Sequence, residues 1–156
     1  MATDTDRGYS PVVRVGAHAW VSGVVAMDEA GRVLGGADTY AQACAAFAGV
    51  DRVLHTVAMS ISDVVQTRIF LTPEADWAAA GRAFKETFAD VRPAATMIRV
   101  HSLALPHLWI EVEVTAVDRR EATDGRRERP DPPGNPGLPG SGQATATGSG
   151  HCAGNR

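Results

Sequence analysis

The chain has 156 residues, a formal net charge of −3 at pH 7 and 44% hydrophobic residues, which is enough for one core and one domain. Charges of both signs are interspersed along residues 1–120 without a basic stripe, which argues against a nucleic-acid partner. No apolar run approaches the ~20 residues that span a bilayer, and the N-terminus resembles no signal peptide, so we expect a cytoplasmic protein with no membrane partner.

Two strands and a helix come first among the predicted elements. PVVRV at residues 11–15 and AWVSGVVAM at residues 19–27 are rich in β-branched residues and are separated by Gly16. A helix follows the turn DEAGR, because Asp38 or Thr39 can cap it and an apolar stripe then recurs at the helical period. The stripe consists of Ala43, Phe47, Val50, Leu54 and Val57.

The third strand, DVVQTRIFLT at residues 63–72, alternates with the strand period. The alternation puts Arg68 and Phe70 on the face opposite the one that carries most of its aliphatic residues. Thr72 and Pro73 then supply an N-cap and a first helical residue for a second helix. The buried stripe of that helix should be Trp77, Ala80, Phe84 and Phe88.

Two further strands are predicted in RPAATMIRV at residues 92–100 and WIEVEV at residues 109–114. The order β-β-α-β-α-β-β indicates an α+β sandwich, since the central strand-helix-strand unit should cross over right-handed to a parallel pair. Two helices can cover only one face of such a sheet. The other face should be open, with apolar residues beside charges, and we expect an oligomer interface there.

The fourth strand carries several candidate site residues. Residues of like parity share a face of a strand, so we expect Ala95, Met97, Arg99 and His101 to point toward the open face, the face that also carries Arg68. The polar side chains among them, Arg99, His101 and Arg68, would then lie at the predicted interface between subunits.

The composition changes near residue 119. Residues 119–156 are dense in Pro, Gly, Ser and Thr and contain almost no large apolar side chains, so they cannot bury enough surface to offset their ordering entropy. We predict a folded domain at residues 1–118 and a disordered tail at residues 119–156.

The motifs GYS, WVSG, SISDVVQTRIFLT, DWAAAGRAF and RPAATMIRV…IEVEVTAV together resemble the RidA (YjgF) family over residues 8–118, in the family's order and spacing. The resemblance implies a chorismate-mutase-like fold and a homotrimer whose sheets line a central barrel, with three clefts between subunits. It also implies hydrolysis of reactive enamines and imines such as 2-aminoacrylate, without a cofactor.

The sequence departs from the family at the residues that hold the substrate. The family's deaminase arginine, two residues after the proline of the fourth strand, corresponds to Ala95 after Pro93. Val24 stands where the family often has a glutamine after the SG motif, and Gly81 stands where the family commonly has an asparagine in the second helix. The resemblance therefore implies a less polar cleft and a protein that is not an efficient 2-aminoacrylate deaminase.

Tyr9, Ser22 and Glu111 match the family's cleft, and the resemblance implies that Glu111 orients the attacking water. From the residues alone, a carboxylate on an inward strand face beside Trp109 and Ile110 could have a raised pKa and act as general acid or base.

Three further side chains are candidates for charge stabilisation or proton transfer. Arg99 or Arg68 could steady developing negative charge, and His101 could carry protons because its ordinary pKa lies near neutrality. The alternatives are that Arg99 forms a salt bridge with Glu111 or Glu113, and that His101 is only packed.

An apolar wall from Val24, Met97 and Trp109 would exclude solvent. No metal-ligand spacing, phosphate loop or nucleophile triad is present in the sequence.

These features predict a RidA-like, cofactor-independent enzyme that acts on a reactive imine, enamine or activated carbonyl compound by hydrolysis, dehydration, isomerisation or cyclisation. Lys85 is the only lysine, a bias typical of GC-rich bacterial genomes, in which a dedicated biosynthetic step of specialised metabolism is plausible. The alternative is a non-catalytic homotrimer that binds a small metabolite or a partner protein.

Overall fold

The computed structural model describes residues 8–121, and in that range it confirms the predicted order of strands and helices. A short 3-10 turn at Ile61–Asp63 precedes the third strand. The strands and helices are β1 (Val12–Val15), β2 (His18–Val25), α1 (Thr39–His55), β3 (Val64–Leu71), α2 (Trp77–Phe88), β4 (Ala94–Arg99) and β5 (Ile110–Val117).

Within residues 8–121 the strands form one five-stranded sheet in the order β1-β2-β5-β3-β4. β3 and β4 are parallel and joined through α2, as predicted for a crossover unit, while the other neighbouring pairs are antiparallel. β5 lies in the middle of the sheet, and its residues alternate strictly between buried and half-buried. The two helices cover one face, as expected for the α+β sandwich.

The core lies between this covered face and the helices. Phe47 of α1 and Phe88 of α2 pack edge to face with ring centroids 5.4 Å apart, which ties the two helices together above the sheet. Val50 and Leu54 extend the buried stripe of α1 as predicted, but Trp77 of the predicted α2 stripe is exposed.

Helix α2 begins later than the sequence indicated. Asp76 is its N-cap, with Oδ1 accepting hydrogen bonds from the backbone N–H groups of residues 78 and 79 at 2.8 and 3.2 Å. The predicted cap, Thr72, is buried, and its backbone N–H donates to the carbonyl of Trp109 at 3.0 Å. Thr72 therefore continues the pairing of β3 with the segment before β5, and Pro73 lies in the turn before α2.

The predicted orientation of β4 is wrong. Residues paired across neighbouring strands share a face, and the register aligns Met97 with Ile69 and Arg99 with Leu71. Because Ile69 and Leu71 are buried beneath the helices, Ala95, Met97 and Arg99 lie on the helix-covered side. Both parities of this edge strand carry a large apolar residue, so alternation alone does not identify the side that faces the core.

Asp118, at the end of β5, joins three segments of the chain. Its backbone N–H donates to the carbonyl of Ala17 at 2.7 Å, and its buried carboxylate accepts from Arg14 at 3.1 Å and from Arg120 at 2.9 and 3.0 Å. Arg120 also donates to the carbonyl of Ala58 at 2.7 Å. These bonds, above all those from the Arg120 side chain, lower the pKa of Asp118 to about 2.

Contacts of the folded domain thus continue past residue 118 to Arg120 and Glu121, the latter 2.9 Å from Arg14. The remainder of the predicted tail, residues 122–156, lies outside the described residues.

We expect Arg120→Ala to lower the thermal midpoint by about 4 °C, since it removes the main partner of a buried carboxylate. Because the folded-state pKa of Asp118 is depressed, its stabilisation is present above pH 3.8 and is lost as the pH falls toward 2. The difference between variant and wild type should therefore shrink over that window. Thermal unfolding at several pH values measures it, with Arg119→Ala as the control, and equal midpoints for both variants would contradict the prediction.

Candidate active site

The sheet face that points away from the helices, called the open face below, has a polar centre and apolar margins. Val13 and Val15 of β1 are exposed at one margin, and Ile98 of β4, 45% exposed, lies at the other. The central strands β5 and β3 carry Glu111 and Arg68 between these margins. Several exposed large apolar side chains on one sheet face indicate a surface that another molecule covers.

A β-bulge in β2 shapes the floor of this face. The pairing of β2 with β5 shifts between residues 21 and 24, so that Ser22 and Gly23 together oppose Glu113. A Cβ atom added to Gly23 would lie 1.7 Å from Oε1 of Glu111. Only glycine at this position leaves room for the Glu111 carboxylate to lie against the backbone of β2.

Glu111 is half-buried, and its pKa is raised, first by burial and second by the nearby charge of Glu113. Within residues 8–121 its carboxylate makes no hydrogen bond or ion pair. A carboxylate that is desolvated and unpaired holds its proton more readily than one in water, which suits it to proton transfer.

Glu113, two residues further along β5, is paired differently. Its Oε2 lies 3.1 Å from Nη1 of Arg68, so Glu113 and Arg68 form an ion pair. Arg68 and Glu113 border a cleft of about 320 Å³ on the open face. Three of the side chains that line this cleft were not singled out in the sequence: Trp20, Gln66 and Thr115. Gln66 shares the parity of Arg68 on β3, and Thr115 and Trp20 lie in the same cross-strand row as Gln66.

Arg99 lies on the other side of the sheet. Its Nη1 donates to the carbonyls of Thr72 at 2.9 Å and Ala75 at 3.3 Å, and its guanidinium is 5.8 Å from the ring centroid of Trp77. Arg99 therefore holds the loop that precedes α2. The predictions that it meets Glu111 or Glu113, or steadies charge beside them, are not supported within one chain.

His101 and Tyr9 lie outside the strands, and Ser22 lies in the bulge of β2. His101 is exposed beyond the end of β4, where strand alternation no longer sets its direction, and it interacts electrostatically with Glu74. Tyr9 is exposed at the start of the described residues. Ser22 donates through Oγ to the carbonyl of Ser10 at 2.7 Å, which ties the bulge to the segment that carries Tyr9.

The predicted apolar wall does not face Glu111. Val24 packs toward α1, where a Cβ on Gly49 would lie 2.8 Å from Val24 Cγ1, and Met97 and Trp109 also pack against the core. Gly81 of α2 has open space beside it, since an added Cβ would meet no atom within 4 Å.

The sheet thus divides the predicted site residues into two groups that one chain does not bring together. The open-face group comprises Ser22, Arg68 and Glu111, with Tyr9 beside it. The helix-side group comprises Val24, Gly81, Ala95, Met97, Arg99 and Trp109. His101 belongs to neither group, since it lies beyond the end of β4.

Within the part of the chain that the structure describes, no three His, Cys, Asp or Glu side chains are grouped so that they could hold a metal ion. The same search range contains no helix that is both long and apolar enough to cross a bilayer.

Two curated proteins are similar to this chain over about 70% of its length. An uncharacterized protein of Streptomyces coelicolor is 31% identical over 109 residues, which is 70% of this chain and 81% of that protein. The 3-aminoacrylate deaminase RutC of Acinetobacter baylyi is 30% identical over 108 residues, 69% of this chain and 85% of that protein.

Solved structures show the same fold. A YjgF/YER057c/UK114 family member from Mycobacterium tuberculosis superposes with a TM-score of 0.64 at 29% identity, over 73% of this chain and 90% of that one. RidA from an Antarctic Psychrobacter also superposes with a TM-score of 0.64, at 26% identity, over 70% of this chain and 88% of that one. These neighbours confirm the chorismate-mutase-like fold. The family model described as Endoribonuclease L-PSP matches residues 1–118, and the chain therefore belongs to this family, also called YjgF or RidA.

Proposed function

We propose that this protein is a cofactor-independent acid-base enzyme that acts on a reactive imine, enamine or activated carbonyl compound. The observation that carries the proposal is Glu111, a half-buried carboxylate with a raised pKa and no partner within the described chain. In this role Glu111 moves protons at the substrate or orients the attacking water. Similarity to a protein named 3-aminoacrylate deaminase supports the substrate class.

The reaction takes place in a cleft between copies of the chain. Glu111 and Ser22 lie on one side of the sheet and Ala95 and Gly81 on the other, so a cleft that uses both groups needs two chains. The apolar margins of the open face also need cover, and the family resemblance implies a homotrimer.

Arg68 shares the open face with Glu111, although the register pairs it with Glu113, and it steadies negative charge that develops on the substrate. Ala95 offers no cation to a substrate carboxylate, so the substrate is held in another way or is another compound. The reaction is then a hydrolysis, dehydration, isomerisation or cyclisation of an unstable intermediate. The competing proposal is a non-catalytic trimer that binds a metabolite or partner, and the variants below separate the two.

We expect a homotrimer in solution and a dissociated or weakened one in Ile98→Glu, because a charge at this exposed apolar margin would face a neighbouring chain. Sedimentation velocity measures the mass. Ala78→Glu, an exposed position of α2 where the helix dipole favours an acid, is the control and should leave the assembly intact. A wild-type monomer at micromolar concentration would remove the basis for a cleft between chains.

Glu111→Gln should lower turnover by about 10² to 10⁴, because the amide keeps the shape of the side chain but cannot transfer the proton. Ammonia release or product formation is followed with a panel of enamines and imines that includes 2- and 3-aminoacrylate. Glu113→Gln is the control and should cost much less. Equal rates for Glu111→Gln and wild type would make Glu111 structural, and no turnover of any panel member would favour the non-catalytic trimer.

Glu111→Gln, which should lower turnover, should raise the stability of the fold. A raised folded-state pKa means that the ionised form of Glu111 is disfavoured by folding, so stability is lost as the pH rises through its ordinary pKa of 4.5 and beyond. Glu111→Gln should therefore be more stable than wild type at pH 7 and closer to it at pH 4. Loss of activity with a gain in stability distinguishes a functional carboxylate from a structural one.

Wild-type protein should hydrolyse 2-aminoacrylate more than ~100-fold more slowly than family members that carry the arginine, because losing a charge-assisted bidentate contact costs about 3 kcal/mol or more. Ala95→Arg should raise the rate if the helix-side half of the cleft is otherwise preserved. A wild-type rate equal to that of arginine-bearing members, measured side by side, would show that another group holds the carboxylate.

A further inference from the structure

Gln42, in the first turn of α1, is fully buried and has no role in the function proposed above. Its side-chain Nε2 donates to two backbone carbonyls, at 2.7 Å to Gly36 and at 2.9 Å to His107. Its Oε1 accepts the backbone N–H of Trp109 at 2.9 Å. Two donors and one acceptor in these positions require an amide, since a carboxylate would set oxygen against both carbonyls. Because Gln42 is buried within one chain, these bonds do not depend on which surfaces neighbouring copies cover.

Gly36 belongs to the β2–α1 loop, residues 26–38. The loop lies tightly against α1, since a Cβ atom added to Gly35 would lie 2.7 Å from the backbone nitrogen of Gln42. Gly35 also has a φ of +81°, a conformation that residues with a side chain rarely adopt. The bond from Gln42 to Gly36 therefore holds the loop at the turn where glycine lets it approach the helix.

The β4–β5 loop, residues 100–109, is the second segment that Gln42 holds. The first residue of this loop donates to the end of β3 at 2.9 Å, and its last residue, Trp109, accepts from the backbone N–H of Thr72 at 3.0 Å. Gln42 adds bonds at His107 and at the N–H of Trp109, which fix the part of the loop that returns to the sheet.

Both loops meet the sheet at the end where Glu111 lies. Glu111 is the second residue of β5, and the register pairs it with Val25, the last residue of β2, and with Phe70 near the end of β3. The β2–α1 loop starts directly after Val25, and the β4–β5 loop ends two residues before Glu111, ~6.6 Å along the strand. One buried amide therefore links two segments that border the Glu111 end of the sheet.

We infer that Gln42 is a positioning residue that holds the β2–α1 and β4–β5 loops in one arrangement around the Glu111 end of the cleft, and this role rests on the function proposed for Glu111. Because α1 covers the other face of the sheet, Gln42 acts through the loops and not on Glu111 or the substrate directly. Its contribution is to the shape of the cleft and to the exclusion of water from it.

Gln42→Met keeps the length of the side chain but removes all three hydrogen bonds. With a panel member that wild type turns over, we expect kcat/KM to fall about 10- to 100-fold, mainly through a higher KM, since a misplaced cleft binds substrate less well while Glu111 is retained. Thr39→Val is the matched control, because it removes a buried hydrogen bond of the same turn of α1, from the N–H of Asp76 at 2.9 Å, that holds the start of α2 instead of the two loops. It should lower the thermal midpoint and leave KM unchanged.

Amide hydrogen exchange of the full chain follows the β4–β5 loop without a substrate. The N–H of Trp109 should exchange about 10-fold faster or more in Gln42→Met, because that variant lacks its acceptor, and should be unchanged in Thr39→Val.

Gln42→Glu keeps the inference testable if Gln42→Met fails to fold. An ionised carboxylate still accepts from Trp109 but repels the carbonyls of Gly36 and His107, whereas a protonated carboxyl donates to one of them. A buried carboxyl has a raised pKa, so the kcat/KM of this variant relative to wild type should rise as the pH falls from about 8 to about 5. The ratio to wild type removes the titration of groups common to both proteins, such as Glu111, Glu113 and His107.

Equal KM values for Gln42→Met and Thr39→Val, or a ratio for Gln42→Glu that does not rise with falling pH, would overturn the role of Gln42 and leave the proposed reaction in place. Failure of both Gln42 variants to fold would make Gln42 a residue of the fold alone. No turnover of any panel member by wild type would instead remove the proposed reaction, and this role with it, even if hydrogen exchange at Trp109 responds to the substitution.

Discussion

Two helices of 17 and 12 residues can cover only one face of the five-stranded sheet within residues 8–121, and the rest of the structure depends on this imbalance. The covered face is filled by aliphatic and aromatic side chains that pack against α1 and α2. The other face keeps whatever side chains the alternation of each strand directs to it. Charged residues in the middle of the sheet, such as Glu111 and Arg68, are therefore neither buried in the core nor fully in water.

The electrostatic character of Glu111 follows from that intermediate position. Gly23, in the bulge of β2, lets the carboxylate lie against the neighbouring strand, where it is partly desolvated. Glu113 forms an ion pair with Arg68, whereas Glu111 has no such partner within residues 8–121. The charge of Glu113 on the same face raises the pKa of Glu111 further. The absence of a side chain at Gly23 thus leaves room for the partly buried position of the Glu111 carboxylate that raises its pKa.

The sheet also explains why the proposed cleft needs more than one chain. Ala95 and Met97 lie on the helix-covered side of edge strand β4, while Glu111 lies on the open face of β5. No side chain reaches through a sheet, so the two sets can meet only when the edge of one copy lies against the open face of another. Such an arrangement would make assembly and catalysis a single requirement and would explain an open face with apolar margins.

The sequence by itself determined the order of elements, the start of α1 at Asp38 or Thr39 and the alternation of β5, because each depends on local propensity or on a period within one segment. It also identified the family, through motifs spread over residues 8–118. Only the tertiary structure decided which face β4 presents, since an edge strand with apolar residues at both parities, Met97 and Ile98, takes its orientation from the register with β3. The same holds for Arg99: its carbonyl partners before α2 are 24 to 27 residues away in the chain, and contacts at that separation leave no periodic signal in the sequence.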